Sequence, residues 1–478
     1  MATTLLVVGT ALVVLVAFWS AVRRLCCTKS SDNVPGTGMF ELGATTLLGG
    51  VLRARLDSVQ YVHGLLHSSN LPILWTRILG RRVLLVKPEL DYDLARHSRD
   101  LSLASFASFT LCRPIFGLSD DGVALLRQTD TRPTWAAELL DADRAKAALD
   151  SALRQIEQLL EDGSLGPLTN FNAWVFHMSA GATAHSLWGV DNPWLKSTRL
   201  MDDFYEFQQV FESLYLPLAP LTAPRANNLR RSLLSKLRTF HIAHPTVLPD
   251  NIAHRLNIIT SLSPDKQRQA WYANPDYSII ELVTSLAILP TVGNITIWLL
   301  RHLFARPDIL SKVQSEITKL TSSPSTKDAL PTIDLSQIRN ACPNLMAAWY
   351  ETLRLHMTGV AREATASFPL SSVDGEVQKG DILFLPMAES NRDPKIWDHP
   401  REWFPERFID PGTGKLTYAL TRKVKGFGVA GNLCPGRYHS FGVIMGVVVG
   451  MVVAMEVEPL GGSGWEGPVV AGGVSAGG

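Results

Sequence analysis

Cysteine is scarce in this chain. Five occur among 478 residues: Cys26, Cys27, Cys112, Cys342 and Cys434. No two have the Cys-x-x-Cys spacing of a zinc or thioredoxin-like site, and their number is odd. Both facts argue against a disulfide framework and for a reducing compartment. Charge is scarce too. Asp, Glu, Lys and Arg make up 19% of the chain and balance to +1, which offers no global attraction to nucleic acid. With 46% hydrophobic residues, so little charge describes an ordered globule rather than a disordered chain. No internal repeat is visible. The Gly49-Gly50 pair lacks the strand–glycine–helix context of a nucleotide loop, so neither a flavin nor a nicotinamide site is expected within the chain. Length alone admits three domains of about 150 residues or one large domain around a buried cofactor.

From Met1 to Val22 no side chain is charged, and Leu5 to Val22 is almost wholly apolar. Arg23, Arg24 and Lys29 follow. The run nearly matches the roughly 20 residues needed to cross a bilayer, and basic residues after the span put the rest of the chain in the cytosol. A cleaved signal would want its charge before the run and small residues after it; Ala21-Val22-Arg23 does not supply them. The expected organisation is a membrane anchor over residues 1–24, a linker over 25–39 that includes Pro35-Gly36-Thr37-Gly38, and a single body over 40–478. Cys26 and Cys27 are either palmitate acceptors or plain juxtamembrane thiols.

Within the body, Leu71 to Val86 contains short apolar runs with strand character. From Ala136 to Leu160 apolar residues recur every third or fourth position, a helical period. Helical patterns then dominate as far as about Leu355. Ala361 to Pro386 looks like short strands and turns, and an apolar helix follows Cys434. Leu282–Leu300 and Ser440–Met455 carry no charge. Pro290, Gly293 and Asn294 suit a buried ligand better than lipid in the first, and the second is short for a span, so both are expected to be core helices. The fold class is therefore mainly α with a minor β region.

Three segments carry chemistry. Phe427-Gly428-Val429-Ala430-Gly431-Asn432-Leu433-Cys434-Pro435-Gly436-Arg437 delivers one cysteine to the start of an apolar helix. The helix N-terminus and nearby backbone N–H groups favour a thiolate there, and small residues let the backbone pass close to a flat ligand. Glu351-Thr352-Leu353-Arg354 places a carboxylate and a guanidinium on one helix face. Trp403-Phe404-Pro405-Glu406-Arg407-Phe408 follows, with Asn391-Arg392-Asp393-Pro394 and Trp397 between.

In this order and spacing, the segments resemble those of the cytochrome P-450 family. The resemblance implies a single cytochrome P-450 fold domain holding haem b (iron protoporphyrin IX). Cys434 would be the axial metal ligand within a loop marked by Phe427 and Gly436. Glu351, Arg354 and Arg407 would form a buried triad supporting that loop, and Arg362 would meet a haem propionate. The loop departs from the family pattern at Ala430, usually Gly, and at Asn432, often basic. The family's Trp-x-x-x-Arg element is not evident, since Trp135 is followed four residues later by Leu139; a second propionate partner is unassigned.

In most of the family a central helix carries an acid and a Thr that relay protons to bound oxygen. Here the stretch runs Leu289-Pro290-Thr291-Val292-Gly293-Asn294-Ile295-Thr296-Ile297-Trp298 and has no acid. Asn294 lies near the usual Thr position, and Pro290 and Gly293 would bend or open the helix. Asn294 and Thr296 are the candidates for ordering a water chain, although an amide cannot act as an acid near neutral pH. Asn294 and Asn432 together resemble the branch containing steroid hydroxylases and prostacyclin synthase. The expected function is a monooxygenase acting on an apolar small molecule in fungal-type secondary metabolism, with a terpenoid, steroid-like or polyketide substrate. Electrons would come from NADPH through a separate membrane-bound cytochrome P-450 reductase, and Arg422, Lys423 and Lys425 could offer it a docking patch. The expected location is the endoplasmic reticulum membrane. Two alternatives stay open: a haem-thiolate isomerase or dehydratase acting on a peroxide without a reductase, and a haem-less membrane protein, the latter suggested by Ala430, Asn432 and the Gly-rich tail from Gly461.

Overall fold

The computed structural model describes residues 39–41, 64–66, 71–78, 81–123, 142–161, 170–215, 218–243, 274–320, 333–371, 373–455 and 457. The expected anchor, nearly all of the linker, Trp135 and the Gly-rich tail lie outside them. Among the described residues nine helices have seven residues or more: α1 Ala142–Glu161, α2 Phe171–Trp188, α3 Thr198–Val210, α4 Pro224–Ala243, α5 Pro275–Phe304, α6 Pro307–Leu320, α7 Leu335–Ala341, α8 Pro343–His356 and α9 Arg437–Ala454. The strands are β1 Met39–Glu41, β2 Ile73–Ile78, β3 Arg81–Val86, β4 Leu101–Ser102, β5 Val360–Ala364, β6 Phe368–Pro369, β7 Glu376–Val377 and β8 Ile382–Leu385. A mainly helical body with a minor β region is thus observed.

Six strands form one sheet in the order β1-β2-β3-β8-β5-β4, and β6 pairs with β7 separately. β3 and β8 run parallel, with Val83 opposite Ile382 and Leu85 opposite Phe384. Residues some 300 apart in sequence are thereby joined. Arg82 seals the junction, donating from Nε to Asp381 at 2.9 Å, while Arg81 meets Glu363 at 3.0 Å. The turn-and-strand segment after α8 is fixed in this way to the front of the chain.

The helical core is built around α5 and α9. Among the described residues α5 is the one helix long and apolar enough to cross a bilayer. In the fold it is a core element, packed against α2, α4, α8 and α9. Asn274 caps its start by accepting from the Asp276 N–H; Asp276 in turn accepts from the Ser119 N–H at 3.0 Å, tying down the preceding segment. α9 is apolar on every side because it is buried on every side: Val443, Ile444, Met445, Val447, Val448, Val449, Met451 and Val452 all lie in the core. Each such side chain contributes about 1.5–3 kcal/mol relative to exposure.

Gly442, Gly446 and Gly450 give α9 a flat stripe facing α1. A methyl group on Gly442 would come within 2.2 Å of the Ala145 carbonyl oxygen, and one on Gly446 within 2.6 Å of the Ala152 side chain. The two backbones therefore approach as closely as only glycine permits. The helix that starts just after Cys434 is thus firmly seated.

Candidate active site

Glu351 and Arg354 sit three residues apart on α8 and are both fully buried. Arg354 donates from Nε and Nη2 to the two carboxylate oxygens of Glu351 at 2.7 and 2.8 Å. Its other donors reach the carbonyl oxygens of Asn391 (2.7 Å), Pro400 (2.7 Å) and Glu402 (3.0 Å). All five guanidinium hydrogens are thereby used. Glu351 also accepts from Arg407 Nε at 3.2 Å and from the Phe404 N–H at 2.8 Å. The expected triad is formed, and its polar capacity is met by the backbone of the segment between Asn391 and Phe404. A buried charge is tolerable only when paired and bonded in this way.

The triad reaches the cysteine loop through Asn391. While the Asn391 carbonyl accepts from Arg354, its side chain accepts from the Lys425 N–H at 2.8 Å and donates to the Lys425 carbonyl at 3.1 Å. A side-chain amide thus clamps the backbone residue that enters the loop. The Lys425 ammonium lies 3.7 Å from Asp91, and Arg422 and Lys423 are exposed.

The loop itself is a tight reversal. The Cys434 N–H donates to the Phe427 carbonyl at 2.6 Å and the Asn432 N–H to the Val429 carbonyl at 3.1 Å. Gly428 has φ +110°, and a Cβ there would lie 2.3 Å from the Asn432 carbonyl oxygen, so no other residue fits. Ala430 has φ +53°, a left-handed conformation that costs a non-glycine residue about 1–2 kcal/mol. That is the physical reason glycine is the usual occupant. Asn432 is buried and donates to the carbonyls of Ser98 and Ala430, each at 3.3 Å. It braces the loop against the 98–100 turn rather than presenting a cation. Phe427 is half-buried and sits near the Trp349 ring, centroids 6.1 Å apart.

Dense protein surrounds Cys434, and burial pushes its thiol up from the usual range. Yet the side chain is open to solvent, so it lies in a recess rather than on the outer surface. The Gly436 N–H donates toward the sulfur, and the charges of Arg362 and Arg437 also favour its thiolate form. Gly436 stands at the cap of α9. Among the described residues no group of three or more His, Cys, Asp or Glu side chains could hold a metal ion. A metal at Cys434 must therefore bring its other ligands with it, as haem does. The single recessed thiol, the N–H beside it and the nearby Arg362 on β5 fit that group. Cys112 and Cys342 are buried, and burial pushes each thiol up to about 12; neither is a rival ligand.

A family model, Cytochrome P450, matches residues 290–438, which contain the triad, Asn391, Arg362 and the cysteine loop. The chain is 23% identical over 414 residues to a cytochrome P450 monooxygenase of Gibberella zeae, covering 83% of this chain and 76% of that one. It is also 23% identical to the cytochrome P450 monooxygenase nodJ of Hypoxylon pulicicidum, covering 87% and 82%. Retinoic acid-bound cyanobacterial CYP120A1 superposes with a TM-score of 0.60 at 17% identity, covering 87% of this chain and 91% of that one, a likeness of fold. The chain belongs to the cytochrome P450 family. It is an oxidoreductase of the monooxygenase class.

The helix expected to lie on the oxygen side is α5. It runs unbroken through Pro290, without the local opening suggested by its sequence. Gly293 serves close packing instead: a Cβ there would meet the Phe176 ring of α2 at 2.6 Å. Among the less buried residues of the helix, Thr284, Ala287, Thr291, Asn294 and Trp298 recur every three or four positions, and Arg301 and His302 continue the same stripe. Asn294 is on that stripe. Thr296 is not. It is fully buried, and its hydroxyl donates to the Val292 carbonyl at 2.8 Å. Two residues further along a helix turn it by about 200°, so Thr296, a second candidate for ordering water, does not share the face of Asn294.

Sequence reasoning did not assign Asn391 its clamping role, and it missed His302, His356 and Gln208. His356 ends α8 two residues after Arg354. Its Nε2 lies 2.8 Å from Nε2 of His302 on α5, and the rings stack on Trp298 and Trp403 respectively. Only the Asn391-Arg392-Asp393-Pro394 motif gave any signal of this set.

Proposed function

We propose that this protein is a haem-thiolate monooxygenase that hydroxylates or otherwise oxidises an apolar small molecule of terpenoid, steroid-like or polyketide type in fungal-type secondary metabolism. The observation that carries the reading is the recessed Cys434 on a loop braced by a fully satisfied Glu351–Arg354–Arg407 triad. Cys434 would hold the haem iron, and the Gly436 N–H would temper the charge on the sulfur. Arg362 would pair with a propionate. When bound, haem supplies activation of dioxygen and insertion of one oxygen atom into the substrate. The open stripe of α5 offers small and neutral groups to an apolar substrate, and Asn294 holds water there without supplying a proton of its own. NADPH would supply electrons through a separate membrane-bound reductase. Residues 1–24 would anchor the chain to the endoplasmic reticulum, the linker 25–39 leading to a cytosolic domain over 40–478. Deleting 1–24 should move the chain from microsomes toward the cytosol.

The decisive experiment is the difference spectrum of the reduced carbon monoxide complex of the purified holoprotein. A strongly red-shifted Soret band is expected, and Cys434→Ser should abolish it. A histidine-type spectrum from the unaltered protein sinks the proposal. Between Leu289 and Trp298, α5 has no acidic or basic side chain, which favours a second reading: isomerisation or dehydration of a peroxide without a reductase. Turnover of a hydroperoxide in the absence of NADPH and reductase would select it.

A further inference from the structure

The helix after the cysteine loop begins with the wrong charge. α9 opens on Arg437, Tyr438 and His439, and its first turn holds no acid. A helix N-terminus is already partly positive, so a guanidinium there is disfavoured. Among the described residues Arg437 has no carboxylate partner to offset this. Two other contacts hold its side chain. Nη1 donates to the Cys434 carbonyl at 3.1 Å, and the guanidinium carbon lies 4.7 Å from the centre of the Tyr438 ring.

Tyr438 is partly exposed but held in turn. The guanidinium of Arg339, on α7, lies over the same ring at 5.4 Å and over the ring of Phe441 at 4.5 Å. Phe441 is buried against Trp349 of α8, with centroids 5.7 Å apart. A planar guanidinium is weakly hydrated and stacks on an aromatic face, which keeps it in one orientation. Two cations gathered at one ring also repel each other. Stability alone therefore does not account for a cation at this helix start beside a second one. What the arrangement achieves is a fixed positive charge on the backbone of Cys434.

We propose that Tyr438 is a positioning residue that holds the Arg437 guanidinium against the Cys434 carbonyl, where its charge raises the reduction potential of the iron bound by that cysteine. This rests on the haem-thiolate reading above. The step concerned takes one electron from the reductase into ferric iron and gives ferrous iron, with the sulfur still bound and no bond made or broken. Positive charge beside the ligand opposes donation from the sulfur and favours the form with the extra electron. The Gly436 N–H acts at the sulfur itself. Arg437 acts on a solvent-facing carbonyl and through space, so its contribution is sensitive to salt.

Spectroelectrochemical titration of the purified holoprotein reads the ferric/ferrous midpoint, and resonance Raman of the ferric form reads the iron–sulfur stretch. Arg437→Gln leaves an amide able to bond the carbonyl but removes the charge. The midpoint should fall, the stretch should rise in frequency, and the fall should shrink between about 0.01 M and about 1 M salt. Arg437→Met, also without charge, should lower the midpoint likewise where Arg437→Gln retains haem poorly. Arg437→Lys keeps the charge and should fall less. Tyr438→Leu should shift both readings in the direction of Arg437→Gln, by a smaller amount, because the freed guanidinium moves out into solvent. Tyr438→Phe keeps the ring and should leave the midpoint in place. A midpoint unmoved by the charge-removing variants overturns the proposal, as does an equal fall in Arg437→Lys. A midpoint unmoved by Tyr438→Leu, or lowered equally by Tyr438→Phe, overturns the positioning role. A normal thiolate Soret band in the same samples shows that only this inference has failed. Its absence from the unaltered protein brings down both readings.

Discussion

The two sides of the site are built on opposite principles. On the cysteine side, Glu351, Arg354 and Arg407 are charged, buried and bonded to capacity, and Asn391 passes their order to the loop at Lys425. On α5, the stretch from Leu289 to Trp298 is neutral, and the contact of its one amide, Asn294, with Gln208 is 3.4 Å long. A saturated ionic network has few alternative arrangements, so it fixes geometry. A sparse neutral surface leaves a substrate free to choose its own orientation. The contrast teaches that rigidity is invested in the support of the cysteine loop and adaptability along α5.

The largest break in that comparison should come from Arg354→Lys. An ammonium cannot serve five acceptors in a plane, and Glu351 would be left partly unpaired at full burial. A loss of about 3–5 kcal/mol is expected, read as a lower midpoint in chemical denaturation together with poor haem retention. Full stability in this variant would show that the triad is not the rigid half.

The joint between the two sides should show in pH dependence. Burial pushes His302 down to about 4, with Arg301 adding to it, and burial pushes His356 well below its usual range, followed by the charges of His302, Arg392 and Arg354. The unfolded chain takes up these protons below about pH 6.5, whereas the folded one resists. The stability they contribute is present above that value and is lost as pH falls toward about 4. Denaturation midpoints measured from pH 7 to pH 4.5 should fall less steeply in His302→Phe, which keeps the ring stacked on Trp403. An unchanged slope would remove the pair from the account.

The smallest effect is expected at Ala430. Glycine would relieve the left-handed strain of about 1–2 kcal/mol, and the added freedom of the unfolded chain returns roughly 0.4–1 kcal/mol of that. Ala430→Gly should therefore raise the melting temperature slightly. A decrease would mean that the alanine methyl packs usefully in the loop.

Much of the cysteine side was legible in the sequence because its roles are set by residue type at fixed spacing. A thiolate loop needs small residues around Cys434, and a bidentate clamp needs Arg at 354, three residues from Glu351. The helical period of α1 and the uncharged apolar runs of α5 and α9 were legible for the same local reason. The roles of Asn391, Gln208, His302 and His356 were not, because each depends on a partner 34 to 86 residues away. Thr296 shows the converse. Only two residues from Asn294 in the sequence, it faces the opposite side of α5, and Gly293 against Phe176 fixes which side is buried.

By itself, then, the sequence determined the helical class, the single candidate thiolate and the charged triad, since these follow from short-range periodicity and from chemistry only a few residue types can perform. Tertiary structure alone decided which face of α5 is less buried, which side chain meets Asn294 and how the triad's order reaches the cysteine loop. Those are questions of relative orientation between packed elements, and orientation is set by close contacts that no local pattern encodes.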